Sequence, residues 1–242
     1  MGELAEPREE FRSIVEGSDN VVFFGGAGVS TESGIPDFRS ADGLYNQRYD
    51  YPPEQIISRT FFDANPEEFY RFYRDRMIFS DAQPNQCHRK LAELEREGHV
   101  RAVVTQIIDG LHQAAGSRRV LELHGSVLRN HCMDCGASYP LSYVVESESV
   151  VPRCSVCGGI VKPDVVLYEE PLDADVIARA TEAIAHADVL VVAGTSLVVY
   201  PAASFIGYFR GDKLLIVNRD PVPLDSQANL CIHANVGEVF SW

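Results

Sequence analysis

The sequence predicts an α/β protein in which a doubly wound parallel sheet is covered by helices on both faces. Apolar segments typical of buried strands lie at residues 21–24, 100–105, 120–124, 188–194 and 213–218. Amphipathic helical patterns alternate with these segments, as right-handed crossovers between parallel strands require. Ligands of such sheets bind beyond the carboxyl ends of the strands. The polar residues that follow each strand are therefore the candidate site.

Length and composition limit the function. The 242 residues, 45% of them apolar, can form one α/β domain or a large domain with a small insert. A net charge of −14 argues against a nucleic-acid surface and suits basic partners such as lysine-bearing peptides. No apolar segment approaches the roughly 20 residues that span a bilayer. Residues 1–7 lack the features of a secretory signal, so we expect a cytoplasmic protein without a membrane partner.

The first strand leads into a glycine-rich turn. Residues 7–17 predict a short amphipathic helix, and the strand that follows it ends at glycines 25, 26 and 28. Glycine lets the backbone approach a ligand, and the helix expected after the turn offers N–H groups and its positive dipole end to a diphosphate. A tight turn without a ligand is the alternative, because Thr31 stands where the usual dinucleotide fingerprint has its third glycine.

The next segments favour the nucleotide interpretation. Residues 36–39, Pro-Asp-Phe-Arg, combine a rigid turn with a carboxylate, an aromatic ring and a guanidinium, which suits a loop over a charged, ring-bearing ligand. Residues 41–53 predict a long loop of the kind that forms lids. Residues 54–80 carry aromatic side chains at helical spacing, which indicates helix packing, and residues 85–98 predict an amphipathic helix.

Paired cysteines interrupt the α/β pattern between His124 and Pro163. Each pair has the form Cys-x-x-Cys and is followed by glycine, and in a reducing compartment this pattern is typical of a zinc ribbon. Four thiolates leave no coordination position open for water or substrate, so we expect the zinc to be structural. The predicted ligands are Cys132, Cys135, Cys154 and Cys157.

Several motifs occur in the order found in one enzyme family. They are Gly26-Ala27-Gly28-Val29-Ser30, Gly34-Ile35-Pro36-Asp37-Phe38-Arg39-Ser40, Thr105-Gln106-Ile107-Ile108-Asp109, His124-Gly125, the paired cysteines, Gly194-Thr195-Ser196 and Asn218. In this combination the chain resembles the sirtuins, which are NAD-dependent protein-lysine deacylases, over nearly its whole length.

The resemblance implies a domain organisation. Residues 1–125 and 163–242 would form a Rossmann-like NAD-binding domain, in which 41–80 supply the lid loop and a helical module. Residues 126–162 would form a small zinc-binding domain inserted into it. NAD would lie along the strand ends, and an acyl-lysine peptide would thread the cleft between the domains.

The resemblance also assigns site residues. His124 matches the general base of the family and would also contact NAD, while Ile108 and Asp109 would line the nicotinamide pocket. Imidazole, with an ordinary pKa near ~6.5, suits the removal of a proton from a ribose hydroxyl at neutral pH. A histidine buried at a strand end is the alternative for His124 taken alone. The remaining implied NAD contacts are Ala27, Thr31, Phe38, Arg39, Gln106, Thr195, Ser196, Asn218 and Val236.

Two departures from the family pattern qualify this interpretation. Ile107 replaces an asparagine whose amide helps to position the ribose hydroxyls, and its loss is expected to slow the reaction by on the order of 10²–10³. Residues 167–170, Leu-Tyr-Glu-Glu, replace the Phe-Gly-Glu of many members. This segment should still run extended and pair with the substrate backbone, as should residues 197–199 on the other side.

The expected activity is protein-lysine deacetylation that releases nicotinamide and O-acyl-ADP-ribose. A catalytically weak NAD-binding sensor, an NAD hydrolase and a protein ADP-ribosyltransferase are the alternatives. Tyr73 and Arg76 resemble a pair that reads acidic acyl groups in some sirtuins, although Tyr70 gives another register. An acetyl or other neutral acyl group is therefore the expected substrate. The substrate proteins and the oligomeric state do not follow from the sequence.

Overall fold

The computed structural model of the chain describes residues 4–37, 43, 51–198 and 201–242. The strands are β1 (Val21–Gly25), β2 (Val100–Thr105), β3 (Val120–Glu122), β4 (Gly125–Cys132), β5 (Ser138–Pro140), β6 (Val161–Val165), β7 (Val189–Ala193), β8 (Lys213–Val217) and β9 (Leu230–Ile232). Six of them form one parallel sheet in the order β3-β2-β1-β7-β8-β9. The strand order reverses between β1 and β7, as in doubly wound nucleotide-binding sheets.

Helices cover both faces of this sheet. The helices of the described residues are α1 (Ala5–Glu16), α2 (Pro53–Ile56), α3 (Arg59–Ala64), α4 (Pro66–Arg76), α5 (Gln86–Glu97), α6 (Leu111–Ala115), α7 (Leu141–Val145), α8 (Ala174–His186) and α9 (Val236–Val239). Of these, α1, α5 and α9 pack on one face of the large sheet and α8 packs on the other. Side chains of β1 alternate between two apolar layers: Val21 and Phe23 pack with α1, α5 and α9, and Val22 and Phe24 pack with α8. Burial on both faces explains why the strands are continuously apolar.

A second, antiparallel sheet has the order β5-β4-β6. Its apolar side chains, such as Val127 and Val161, pack in one cluster with Phe69, Tyr70 and Tyr73 of α4. The Tyr70 hydroxyl also donates a hydrogen bond to the Val161 carbonyl. The helical module α2–α4 and the small sheet therefore share a hydrophobic core that is separate from the two layers on the large sheet.

Most predicted elements are confirmed, with three differences. The aromatic stretch at 54–80 divides into three helices, because Ser58 caps α3 by accepting a hydrogen bond from the Phe61 N–H and Pro66 begins α4. Strand β9 was not predicted, since three residues show no periodicity. The helix expected after the glycine-rich turn is replaced by two one-turn 3₁₀ helices, Ala27–Val29 and Thr31–Ser33, which Gly34 ends at φ 84°.

Some predictions fall on residues that the structure does not describe. Phe38 and Arg39, two of the predicted NAD contacts, lie outside the described residues, as do residues 41–42 and 44–50 of the predicted lid loop and Val199. No helix among the described residues is long and apolar enough to cross a membrane.

Candidate active site

A cleft of about 510 Å³ opens at the carboxyl ends of the large sheet, where the strand order reverses. One wall consists of the turns after β1, β2, β7 and β8. The opposite wall consists of residues 165–170, which follow β6, together with the end of α4. The cleft therefore lies between the two sheets, at the position where doubly wound sheets bind ligands.

Two glycine turns meet at the floor of the cleft. The Gly26 N–H donates to the Ala193 carbonyl at 3.0 Å, and the Gly28 N–H donates to the Gly194 carbonyl at 2.8 Å. A Cβ on Gly26 would lie 2.6 Å from the Cβ of Thr195, and a Cβ on Gly28 would lie 2.8 Å from the Cα of Gly194. These glycines therefore let the β1 and β7 turns pack backbone against backbone, and the turns leave no side chain between them.

The N-terminus of α5 supports the first turn. The Asn85 side-chain amide donates to the Val29 carbonyl at 2.7 Å and to Ser33 Oγ at 3.1 Å. Its carbonyl oxygen accepts from the N–H groups of Cys87 and His88, which caps α5. A single side chain thus joins the glycine-rich turn to a helix, which keeps the turn in place without a ligand.

His124 follows β3 and forms part of the cleft wall. Its Nδ1 lies 2.9 Å from the Gln106 carbonyl oxygen. A carbonyl oxygen only accepts hydrogen bonds, so Nδ1 carries the proton and Nε2 is left with a free lone pair. Burial lowers the pKa of His124, although the hydrogen bond to Gln106 opposes this shift. The ring is therefore neutral at physiological pH, and its Nε2 can accept a proton as a general base does.

The backbone of His124 also reaches across the cleft. The Val166 N–H donates to the His124 carbonyl at 3.0 Å, which joins the residue to the chain leaving β6. The side chain is thus bonded to the large sheet through Gln106, and the main chain is bonded to the opposite wall.

Asp109 is partly buried between the β1 turn and α6. Its Oδ2 accepts from the Ser30 hydroxyl at 2.6 Å, and its Oδ1 accepts from the Leu111 N–H at 2.8 Å. Burial raises the pKa of Asp109, while these two hydrogen bonds oppose the shift. The carboxyl group is therefore fixed in orientation and lies where it can accept further hydrogen bonds from a bound amide. Sequence reasoning gave Ser30 no role, although it lies within a quoted motif.

The remaining polar side chains converge on the same cleft. Gln106 Nε2 donates to Thr195 Oγ1 at 3.3 Å, which links the turns after β2 and β7. The Asn218 amide donates to the Asp220 carbonyl at 2.6 Å. All the predicted NAD contacts that the structure describes line this cleft: Ala27, Thr31, Gln106, Ile108, Asp109, His124, Thr195, Ser196, Asn218 and Val236.

Ile107 also lines the cleft, and its side chain packs on the apolar layer that contains α1 and α5. Its N–H donates to Thr105 Oγ1 at 3.0 Å. The backbone at this position is therefore held by its neighbours, and only the side chain differs from the asparagine of the resemblance.

The segment opposite His124 is not fully extended, contrary to the sequence prediction. Tyr168 forms a bridge to the helical module, because its N–H donates to the Ile57 carbonyl and its carbonyl accepts from the Arg59 N–H, both at 3.0 Å. The Glu170 N–H then turns back to the Leu167 carbonyl at 3.0 Å. Backbone groups that were expected to face a substrate strand are thus already bonded within the chain.

A strained glutamate lies inside this turn. Glu169 has φ 75°, the left-handed conformation that glycine adopts without penalty. Its carboxylate accepts from the Thr60 N–H at 2.8 Å and from the Thr60 hydroxyl at 2.7 Å. These contacts at the start of α3 stabilise Glu169 in its left-handed conformation.

Buried charges hold the same turn. Glu170 accepts from Lys162 Nζ at 3.1 Å, from the Leu167 N–H at 2.8 Å and from Arg59 at 3.1 Å. Lys162 is buried, and desolvation lowers its pKa despite the neighbouring carboxylate. Sequence reasoning missed this network; a lysine and a glutamate next to an apolar strand were the only available signal.

The four paired cysteines form a metal site. Their sulfur atoms lie within 4.8 Å of one another, with Cys132 and Cys157 at 3.4 Å and Cys135 and Cys154 at 3.6 Å. A tetrahedral zinc with Zn–S bonds of about 2.3 Å requires sulfurs about 3.8 Å apart. The donor set and its spacing therefore fit a structural zinc ion.

The two cysteine knuckles have the same backbone geometry. In the first, the Gly136 N–H donates to the Cys132 carbonyl at 3.0 Å; in the second, the Gly158 N–H donates to the Cys154 carbonyl at 2.9 Å. Both glycines have positive φ, 72° and 80°. The repeated turn directs both sulfurs of each pair to one point, as the sequence predicted.

The tyrosine–arginine pair is not assembled at the cleft. Tyr70 and Tyr73 are both fully buried in the core shared by α4 and the small sheet, whereas Arg76 lines the cleft. Neither register of the motif therefore presents a tyrosine hydroxyl beside Arg76 to a substrate in this structure.

Comparisons with known proteins agree with this geometry. The Sir2 family model matches residues 26–201. An NAD-dependent protein deacetylase of Clostridium acetobutylicum is 55% identical over 239 residues, covering 98% of both chains, and one of Clostridium perfringens is 55% identical over 234 residues, covering 96% of both. A solved complex of a Sir2 protein with a p53 peptide and NAD⁺ has a TM-score of 0.86 and 39% identity, and covers 96% of this chain and 95% of its own.

Proposed function

The chain belongs to the Sir2 family and is an NAD-dependent protein deacetylase, and on this premise we propose that His124 is the base that completes deacetylation. The observation that carries the proposal is the anchoring of His124 Nδ1 on the Gln106 carbonyl at 2.9 Å. It makes Nε2 the proton acceptor in the wall of the cleft.

The reaction needs one base but no separate acid. NAD, when bound, supplies a cationic nicotinamide leaving group and a ribose that receives the acyl group. A ribose hydroxyl must then lose a proton, and a neutral imidazole at the cleft wall accepts it at neutral pH. Because burial lowers the pKa of His124, the base stays unprotonated somewhat below the ordinary imidazole range. One water is consumed, and the products are free lysine, nicotinamide and O-acetyl-ADP-ribose.

NAD is proposed to lie along the turns after the strands of the large sheet. The backbone N–H groups around Ala27 and Thr31 would meet its diphosphate, and Asp109 with Ile108 would receive the nicotinamide. Gln106, Thr195, Ser196, Asn218 and Val236 would contact the remainder, together with Phe38 and Arg39, which lie outside the described residues. The shared cleft lining supports these roles.

The substrate is a protein or peptide that carries an acyl-lysine. We propose a neutral acyl group, acetyl above all, because the buried Tyr73 offers no hydroxyl to an acidic acyl chain. The proposed location is the cytoplasm, where reducing conditions keep the four zinc-binding cysteines free of disulfides. The net charge of −14 supports protein rather than nucleic-acid partners.

We propose that the zinc-binding domain comprises residues 126–162 and that the NAD-binding domain comprises 1–125 and 163–242. The paired cysteines and the separate antiparallel sheet support this division. The shared core with Tyr70 and Tyr73 extends the contacts of the small domain to the helical module within 41–80.

Incubation with NAD and an acetyl-lysine peptide tests the function. We expect O-acetyl-ADP-ribose and free nicotinamide in equal amounts, and only when the peptide is present. ADP-ribose formed without peptide would indicate an NAD hydrolase, and labelled protein an ADP-ribosyltransferase. Intact bound NAD would indicate a sensor, the alternative that Ile107 motivates because isoleucine makes no hydrogen bond to ribose. Parallel assays with acetyl, succinyl and longer acyl groups define the preference.

A further inference from the structure

A second group of metal-binding side chains lies beyond the cleft, at the edge of the large sheet. Asp225 belongs to a short 3₁₀ helix, Cys231 to β9, and His233 follows β9 directly. One potential ligand atom from each lies within 4.8 Å of the others. The three residues are separate from the four paired cysteines and have no part in the proposed reaction.

The distances in this group match a metal coordination sphere. His233 Nε2 lies 3.5 Å from Asp225 Oδ2 and 3.7 Å from Cys231 Sγ. In a tetrahedral zinc site, bonds of about 2.0–2.3 Å place nitrogen about 3.4 Å from oxygen and about 3.6 Å from sulfur. The observed separations therefore allow the three groups to bind one metal ion.

The arrangement is not that of a nucleophile with its base. In a catalytic relay, the nucleophile and the carboxylate bond to opposite nitrogens of the imidazole. Here Cys231 and Asp225 both approach Nε2 of His233, while Nδ1 lies 3.2 Å from the Asn218 carbonyl. An Nδ1–H bonded to a backbone carbonyl is the usual support of a metal-bound histidine, since it leaves Nε2 to the metal.

The two carboxylate oxygens of Asp225 differ in their hydrogen bonds. Asp225 Oδ2 accepts from the Val222 N–H at 3.0 Å, but Oδ1 is buried and has no hydrogen-bond partner among the described residues. A buried carboxylate oxygen without a partner is costly, and an ion is one of the explanations for such an atom.

We propose that Asp225, Cys231 and His233 bind one divalent transition-metal cation of the zinc type. One thiolate, one imidazole and one carboxylate form a mixed donor set that suits Zn²⁺ or Co²⁺ and not Mg²⁺ or Ca²⁺. With three protein ligands, a fourth position stays open to water, unlike the closed four-cysteine site. The cation would also fix His233 against Asn218, at the end of the cleft wall. This inference does not rest on the proposed function.

Zinc counting tests the proposal. The full chain, with the four-cysteine zinc retained, is equilibrated with chelator-buffered Zn²⁺, and bound metal is measured by plasma mass spectrometry. We expect a second equivalent in the unmodified protein. His233→Ala, Cys231→Ser and Asp225→Asn should each weaken that equivalent by at least about 100-fold and leave the first in place, because removal of a ligand costs more than the 10–100-fold typical of supporting groups.

His186→Ala is the matched control, because His186 is exposed on α8 and its side chain bonds only to the Glu182 carbonyl among the contacts described; the Asn20 amide donates to its main-chain carbonyl, which alanine keeps. It should retain both equivalents. Co²⁺ provides an independent reading on the unmodified protein: the second equivalent should add a thiolate-to-metal absorption band that Cys231→Ser abolishes. A single equivalent in the unmodified protein overturns the proposal, as does a second equivalent that survives in all three variants. Circular dichroism identifies any variant that fails to fold, and the Co²⁺ band then decides.

Discussion

The two sheets that form the walls of the cleft are stabilised in different ways. The large sheet buries every residue of β1 between two apolar layers, so it supports itself by hydrophobic burial. The small sheet has a short, largely exposed strand, β5, and its core is completed by the aromatic side chains of α4 and by four clustered sulfurs. The groups proposed for the chemistry, His124 and Asp109, belong to the self-supporting side. The groups proposed for the chemistry therefore lie on the sheet that needs no zinc for its stability.

Zinc removal should have the largest effect on the difference in stability between the two sheets. Structural zinc contributes about 10–16 kcal/mol in small zinc domains, so its loss by chelation or by Cys135→Ser should unfold the small sheet. The large sheet should stay folded, because its layers do not contain the cysteine ligands. Hydrogen exchange should show protection lost in β4–β6 and retained in β1 and β7. Cys231→Ser, outside the four ligands, is the control; unchanged protection in β4–β6 after zinc removal would contradict the account.

Removal of His124 should abolish activity without affecting either sheet. General-base catalysis contributes roughly 10²–10⁴ in rate, so His124→Ala should lower kcat/KM by that factor. His131→Ala, an exposed histidine on the small sheet, is the matched control and should retain activity. Peptide-dependent formation of O-acetyl-ADP-ribose provides the measurement, and the melting temperature monitors folding.

The pH profile of the unmodified enzyme tests the same assignment. Burial lowers the pKa of His124, so its unprotonated form persists below the ordinary value of ~6.5. The acid limb of kcat/KM should accordingly lie below that pH. An acid limb above it, or equal losses in the His124 and His131 variants, would count against His124 as the base.

Ile107→Asn should add a hydrogen-bonding side chain to the cleft wall that the large sheet forms. A well-placed polar group in an active site contributes on the order of 10²–10³ in rate, so turnover should rise toward that factor. The backbone N–H of residue 107 is already held by Thr105, so the amide needs no rearrangement of the main chain. Ile107→Leu, which changes the shape of the same side chain without adding a polar group, is the control. Unaltered turnover in Ile107→Asn would refute our explanation of this position.

The smallest expected effect concerns Glu169, which lies in the cleft wall opposite the large sheet. At φ 75° an alanine keeps the backbone strain and a glycine relieves it, while both lose the contacts to Thr60. Glu169→Gly should therefore be more stable than Glu169→Ala by roughly 1 kcal/mol, measured by urea unfolding. At Glu146, where φ is −85°, the order should reverse. The same order at both positions would mean that strain at Glu169 is negligible.

The sequence predicted the large sheet and its strand ends better than the small sheet and the segment that follows β6. Continuous apolar segments identified five strands of the large sheet, and the strand-end rule placed His124 and Asp109 in one cleft, because both signals are local. The shared core of Tyr70 and Val161 joins segments far apart in the chain, which no local pattern encodes. The turn at Glu169 was missed because its positive φ depends on contacts with Thr60.

The bond between the Val166 N–H and the His124 carbonyl has a consequence for motion in the molecule. It runs from the chain segment leaving the zinc-bearing sheet to the residue proposed as base. A shift of that sheet large enough to admit a protein substrate must therefore either break this bond or pull on the main chain that carries the imidazole. Opening of the cleft and alignment of His124 are therefore mechanically linked. A small sheet that is loosened but still folded would already affect the position of the imidazole.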